Sequence, residues 1–444
     1  MSLPTTPATL QQVATVQPIN GVPPGPNIAW RGRARLVAVD ATRGVALLGM
    51  IAVHSLYESD PQGHPTIPFM IFGGRAAAAF AVLAGIGIAF MTGRKRVDRS
   101  AGRATAFTLM TRALVIGAIG LALGYTDGDL AVVILPYYAL MFLLAIPLVF
   151  LPTWTVAVVG TLTAAGVPAI THVLIPHLPV PELDNYSFGY LVDFPGRLIS
   201  EIAITGEYPA VSWMAYLCVG LVIGRLNLAR LRVAILLIGT GAGFAVGAAV
   251  ASSMLLNRYG GLAHIWAAQP NSVLTVPETT EVLRLGGDGT VPASSWWWLA
   301  VDSPHTGTPL DLLGTAGSAI GLLGIMLLIG HFTWPVLRRL TTMAQAPLAA
   351  AGSMTLTLYT AHIIFINSDY DTYDAHTGYF LQVAAVLLIG LAWRATAGRG
   401  PLEGLVTMLA NRARRWATAG SHRAPRAVIV PAQPQDGEGI APRP

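Results

Sequence analysis

Residues 36–56 read LVAVDATRGVALLGMIAVHSL, and within them only Asp40, Arg43 and His54 can carry charge. At 1.5 Å rise per residue a helix of this length covers roughly 30 Å, the thickness of a bilayer's hydrocarbon core. The segment is therefore read as a transmembrane helix. Nine further apolar runs follow, at about 69–92, 107–125, 130–150, 153–172, 209–226, 231–254, 310–331, 346–367 and 378–395. The fourth and fifth are joined only by Leu151-Pro152, so one of them can equally be a re-entrant element. The expected fold is an all-α integral membrane protein, a polytopic bundle of about ten transmembrane helices, with both termini cytoplasmic.

Composition agrees. Of 444 residues, 53% are hydrophobic and only 11% charged, with mean hydropathy +0.58, whereas a soluble domain carries about 25% charged residues. This excludes a soluble enzyme, a disordered chain and a disulfide-built secreted module. The excess of 27 Lys and Arg over 22 Asp and Glu does not point to nucleic acid. The basic residues sit in short loops beside the apolar runs, where they set orientation. Arg31, Arg33, Arg35, Arg94, Lys95, Arg96, Arg99, Arg103, Arg225, Arg230, Arg232, Arg338, Arg339 and the arginines from Arg394 onward fall on one side, leaving Arg197, Arg258 and Arg284 in the opposite loops. The arginine-rich side is read as cytoplasmic, which makes this a multi-pass protein of the inner (plasma) membrane. Trp154, Trp213, Trp334 and Trp393 stand near span ends, as interfacial aromatics do. Cys218, the single cysteine, lies in an apolar run and reads as a small buried hydrophobe.

The domain reading follows. Residues 1–30 form a disordered cytoplasmic tail with no signal-peptide pattern. Residues 31–397 form the ten-span transmembrane domain, with long outer loops at 173–208 and 255–308. The second loop carries Trp296-Trp297-Trp298, a lid or an interfacial anchor. Residues 398–420 form an amphipathic helix with Leu402, Leu405, Leu409 and Trp416 on one side, lying on the inner leaflet. Residues 421–444 form a second tail. Gly239, Gly243 and Gly247, repeating every four residues, read as a close helix–helix contact. No P-loop, glycine-rich dinucleotide motif or inverted repeat is present, and no paired broken helices are expected.

With so few charges, each ionisable group inside a span is informative, because such groups are costly there and face partners or cavities. Asp40 and Arg43, three residues apart, share a helix face and can pair. Arg43 and His54, eleven residues or about three turns apart, lie on nearly the same stripe, roughly 16 Å apart along the axis. One helix thus presents a charge pair toward the cytoplasmic half and an imidazole near the outer end. Arg75 lies near the outer end of the second span. Thr355, Tyr359 and His362 form a polar face on the ninth, and His305 and Asp311 flank the outer start of the eighth. No histidine pair has an i, i+4 ligand spacing, so no metal is expected. An acid–base site at the outer ends fits better, since neutral imidazole takes a proton near pH 7.

The string from Arg35 to Met50 resembles the opening of the heparan-alpha-glucosaminide N-acetyltransferase catalytic family. Arg43, ten residues and then His54 is similar to the R-X10-H signature of the acyltransferase type 3 family. Leu356-Thr357-Leu358-Tyr359 with His362, and Gly400-Pro401-Leu402-Glu403, are similar to bacterial relatives in the same transmembrane acyltransferase group. The resemblance implies an enzyme that takes an acyl group, by family default acetyl, from cytoplasmic acyl-CoA (acetyl-CoA) and passes it to a hydroxyl or amine of a glycan or glycolipid across the membrane. In the heparan enzyme an asparagine stands in the place of His54, and its catalytic histidine lies in the following loop. His64 is the nearest residue here, one position off. His54 and His64 therefore compete for the base role, and His54 is favoured because a helix holds it.

The expected catalytic set is His54, Arg43, Asp40, His362 and His64. Arg43, Arg94, Arg96, Arg338 and Arg339 are expected to bind CoA phosphates, for which paired guanidinium hydrogen bonds suit. Arg75, Tyr359, His305 and Asp311 are expected to meet the acceptor, with His362 or Tyr359 stabilising the oxyanion. Partners are the lipid bilayer, acyl-CoA and the far-side acceptor; a homodimer is compatible with the sequence but not specified by it. Intramembrane Asp, Arg and His are also elements of proton relays, so a proton-coupled transporter or flippase is the alternative, and a non-catalytic membrane subunit a third reading.

Overall fold

The computed structural model describes residues 30–182 and 184–419. The calls on 1–29 and 421–444 as tails lie outside the described residues. The fold is helical, and no strand occurs among the described residues. α1 (Trp30–Ser55) carries the stretch from which the fold was read. α2 (Ile67–Phe72) and α3 (Arg75–Met91) form one span of 25 residues. α4 (Arg99–Leu123), α5 (Leu135–Leu148) and α6 (Thr153–Leu174) follow, then the short α7 (Phe188–Asp193) and α8 (Pro195–Ser200). α9 (Ala210–Arg225) and α10 (Leu231–Ser253) precede α11 (Gly261–Ala268) and α12 (Val276–Arg284) of the second long loop. α13 (Pro309–Ile329), α14 (Pro335–Gly352), α15 (Thr355–Ile366), α16 (Ala375–Thr396) and α17 (Pro401–Ala419) complete the described chain.

Among the described residues, seven helices are long and apolar enough to span a bilayer, or up to nine if each of two bent pairs is one span. The protein is thus a polytopic helical membrane protein. Of the ten expected spans, the fourth contracts to α5, 14 residues with Pro147 near its end. The ninth is broken: α14 and α15 meet at 73°. The sixth gains a preceding helical piece, Pro195–Thr205, bent 52° from α9. Bent pairs therefore exist where the sequence suggested none. Hydropathy counts apolar residues and does not register a change of direction, so these bends are invisible to it.

α1 packs against α3, α13, α14, α15 and α16. Two glycines permit that closeness: a Cβ on Gly352 of α14 would strike the Asp40 carbonyl, and one on Gly44 the Leu348 carbonyl. Around this centre, α4, α6, α10 and α16 bury only 22% of their apolar windows, against 61% for α1. Their outward side chains, such as Leu114, Leu162, Val246 and Leu388, are exposed as a lipid-facing rim requires.

Two local expectations, on the glycine repeat and on Trp213, are corrected. Gly239, Gly243 and Gly247 face open space; the close contact is made by Gly241 of α10 against Gly317 and Gly321 of α13. α17 forms and packs along α4, burying Val406, Ala410 and Ala417, while Leu405, Met408 and Trp416 stay exposed. Small residues let the two helices approach, so the bulkier stripe faces away. Trp213 is buried rather than interfacial, whereas Trp154 and Trp334 are exposed. Within the second long loop, Trp298 is the centre of a small core with Ile265, Val291 and Val301, which gives that loop packing of its own.

Candidate active site

α1 ends one residue after His54, and α15 runs beside it carrying His362. His54 Nδ1 lies 3.0 Å from His362 Nε2, the rings stacked 5° from parallel. His362 is buried, and its Nδ1 lies 2.6 Å from Oε1 of Gln382 on α16. The Gln382 amide Nε2 donates to Ser55 Oγ at 3.2 Å. This chain has one direction. A glutamine carbonyl only accepts, so His362 Nδ1 carries the hydrogen and His362 Nε2 is an acceptor. His54 Nδ1 must then donate, which leaves the His54 Nε2 lone pair free as a base.

Toward the Asp40 end lies a cavity of ≈ 630 Å³ between α1, α3, α4, α5 and α15. Arg43, Arg112 and Arg399 line it, with Gly87 and Met91 beside Arg43 and with Met50, Tyr138 and Tyr359 toward the His54 end. Arg43 Nη1 donates to Asp40 Oδ1 at 2.8 Å, which fixes the guanidinium in place. Arg112 lies within electrostatic reach of Arg399. Its Nε is buried with no hydrogen-bond partner among the described residues, so it is a donor still owed an acceptor. Met50 and Tyr359 stand one helical turn from His54 and His362, so the cavity approaches the histidine pair without containing it.

The two tyrosines differ. Tyr138 donates its hydroxyl hydrogen to the Ala77 carbonyl at 3.3 Å. Tyr359 Oη accepts from Ile134 N at 3.3 Å, so its own hydrogen is free to donate into the cavity it lines. His362 has both ring nitrogens engaged. Of the two expected oxyanion donors, Tyr359 is therefore the one still able to donate.

Residues 35–255 match the family model described as heparan-alpha-glucosaminide N-acetyltransferase, catalytic. The chain belongs to that family through these residues. Membership implies membrane acetyltransferase activity. No curated protein matches the chain directly. The family match covers Asp40, Arg43, His54 and Arg112; Tyr359, His362, Gln382 and Arg399 come from the half of the chain beyond it. The spacing shared with type 3 acyltransferases remains a resemblance of sequence.

Of the residues singled out in the sequence, Asp40 with Arg43, Arg43 with Tyr359, and His54 with His362 are brought together. Others lie elsewhere. His64 is exposed on a turn, its Nδ1 3.4 Å from Asp60 Oδ2. Arg94 donates to the carbonyls of Gly224 and Leu226 and Arg96 to that of Phe150, closing helix ends rather than lining the cavity. Arg338 and Arg339 are exposed on α14. The basic lining of the cavity is Arg43, Arg112 and Arg399 instead. Arg75 donates to the Met70 carbonyl, and Asp311 accepts from Gly307 N at the start of α13. Among the described residues no group of three or more His, Cys, Asp or Glu is placed to hold a metal ion. Arg112 carried a signal that went unread: it is a charge inside an apolar span. Gln382 and Ser55 carried none, because neutral polar residues are ordinary in such helices.

Proposed function

We propose that this chain transfers an acyl group, by family default acetyl, from acyl-CoA bound at the Asp40 end to a hydroxyl or amine of a glycan or glycolipid reaching the His54 end. The arginine-rich loops favour placing the Asp40 end in the cytoplasm and the acceptor outside. The observation that carries the reading is Arg112. It is a half-buried arginine whose buried Nε is an unused donor, in a cavity that holds two further arginines and ends one turn from a polarised histidine pair. Such a cavity calls for an elongated anion with a slender uncharged arm, which is the shape of acyl-CoA. Arg43, Arg112 and Arg399 would hold its phosphates, and the apolar wall from Gly87 to Met50 its arm.

The chemistry then needs three roles. His54 Nε2 takes the proton from the acceptor's hydroxyl or amine as it attacks the thioester carbonyl. Tyr359 donates to the oxygen that gains charge. The carbon–sulfur bond breaks, the CoA thiolate leaves into the cavity, and the proton held on His54 returns to it, directly or through water. The His362–Gln382–Ser55 chain keeps His54 in the tautomer that accepts. Replacing His54 with Ala should abolish transfer while acetyl-CoA binding and expression persist, as measured by thermal shift with acetyl-CoA and by mass spectrometry of envelope glycans and lipids. Wild-type turnover by His54→Ala would remove His54 from the mechanism.

Bent helix pairs are also a feature of secondary transporters, where half-helix N-termini face the substrate. At α15 that position is filled from within. The Glu403 carboxylate accepts from Leu356 N at 2.7 Å and Thr357 N at 3.2 Å. This break anchors the C-terminal helix and leaves the site free for chemistry.

A further inference from the structure

The long loop before α13 is not part of the matched family region, yet it reaches the histidine end of the bundle. Its backbone is packed against the segment before α9 without room for side chains. A Cβ on Gly289 would strike the carbonyls of Gly206 and Glu207, one on Gly286 that of Pro304, and one on Gly307 that of Gly289. All three glycines have positive φ: 117° at Gly286, 93° at Gly289 and 63° at Gly307. Between them His305 adopts φ 54°, a left-handed conformation that is strained for a non-glycine residue. Gly287 N donates to the Pro304 carbonyl at 3.0 Å and Gly289 N to that of His305 at 2.6 Å, holding the strained residue in place. The His305 ring lies 19° from parallel with Trp213 and edge-on to Tyr208.

This much structure delivers one imidazole to one place. His305 Nδ1 is buried and makes no hydrogen bond among the described residues; Glu207 Oε1 is 4.0 Å away. That gap is too long for a hydrogen bond, and an oxygen or nitrogen that bridges the two completes both once the side chains part to admit it. His305 is within electrostatic reach of His54. Glu207 has Asp288 and Glu58 as carboxylate neighbours, and burial first, then their charge, pushes its carboxyl up to about 7, so it is the anion above neutral pH. Of the basic groups nearby, Arg75 is turned to the Met70 carbonyl and acts on Asp311, and Arg284 at the end of α12 lies beside Gly63. Burial pushes the His305 imidazole down to about 4, so it is neutral at physiological pH and offers no charge to an anion.

We propose that Glu207 and His305 are the acceptor-binding half of the site, and that they select an uncharged or cationic sugar over an anionic one. The hydroxyl or amine next to the reacting one sits between Glu207 Oε1 and His305 Nδ1, with Asp288 and Glu58 repelling carboxylate or phosphate groups. The inference rests on the acyltransferase reading and deepens it.

The test uses the full chain in nanodiscs with acetyl-CoA and three acceptor probes: methyl α-glucoside (neutral), glucosamine (cationic) and glucuronate (anionic). Above pH 7, where Glu207 is ionised, wild type should acetylate the first two at least about tenfold more efficiently than glucuronate, since like charges facing each other repel. Glu207→Gln should shrink that ratio. His305→Gln should raise KM for methyl glucoside and glucosamine while leaving KM for acetyl-CoA unchanged. A purely structural role would move both KM values or neither. Should Glu207→Gln not fold, Asp288→Asn tests the same charge preference. An unchanged ratio in the folded charge variant overturns the inference. So does wild-type preference for glucuronate, or protein that binds acetyl-CoA but acetylates neither methyl glucoside nor glucosamine. Wild-type protein that binds no acetyl-CoA would sink the donor assignment, and the inference with it.

Discussion

Gln382 shows what a single uncharged side chain can decide. Its carbonyl faces His362 and its amide faces Ser55, and this orientation propagates through two imidazoles to leave His54 Nε2 as an acceptor. Gln382→Leu keeps the volume and removes the direction. Turnover should fall roughly tenfold to a hundredfold, the scale on which losing an orienting partner acts, with KM for acetyl-CoA unchanged. Arg112→Ala should do the reverse, raising KM for acetyl-CoA by about tenfold or more, as loss of a charged hydrogen bond worth roughly 1.5–3 kcal/mol demands, with kcat less affected. Steady-state kinetics at varied donor concentration separates the two. Much at this scale could be read in advance. Asp40, Arg43 and His54 stand out because charge in an apolar run is conspicuous. The partners of His54 could not be, since no spacing rule connects residues 308 positions apart.

Among elements, α15 is the unusual one. It has 12 residues, about 18 Å of helix, too short to cross a bilayer alone. It also starts immediately after a 73° bend. Its N-terminus is closed by the strap that leads into α17 and by that helix's first turn: Glu403 accepts from Leu356 N, Thr357 N and Thr357 Oγ1, and Leu402 N donates to Thr357 Oγ1 at 3.1 Å. The same strap brings Arg399 to the cavity. Glu403→Ala should therefore cost about 1 kcal/mol or more of stability, as lost helix caps do, and raise KM for acetyl-CoA, because α15 and Arg399 share that anchor. Glu403→Gln keeps one carbonyl acceptor and should recover most of both. Melting temperature and donor KM measured on the two variants check this. The spans themselves were legible in apolar runs. The strap was visible only as the motif Gly400-Pro401-Leu402-Glu403, whose meaning needs α15 beside it.

For the molecule as a whole, acid should be destabilising through His305. In the unfolded chain its imidazole has an ordinary pKa near 6.5, and in the fold burial lowers it to about 4. Above 6.5 both states are neutral and its contribution to stability is complete. As pH falls toward 4 the unfolded chain binds the proton first, and that contribution is lost. Glu58 and Asp288 have the opposite sign. Burial, chiefly, raises them, so their contribution is present in acid and lost as pH rises through the folded pKa. The unfolding temperature in detergent should drop between pH 6.5 and 4, and His305→Gln should flatten that drop. An equally steep drop in the variant would assign the acid sensitivity to other groups.

The chain of hydrogen bonds from Ser55 through Gln382 and His362 to His54 joins the first described helix to α16, across 327 positions of sequence. During synthesis, the chain must therefore be made at least as far as Gln382 before this hydrogen-bond chain can close. A nascent chain that ends earlier already carries most of the residues that line the cavity, but not the partner that orients the His54–His362 pair. The order of insertion thus separates the cavity from the histidine pair in time.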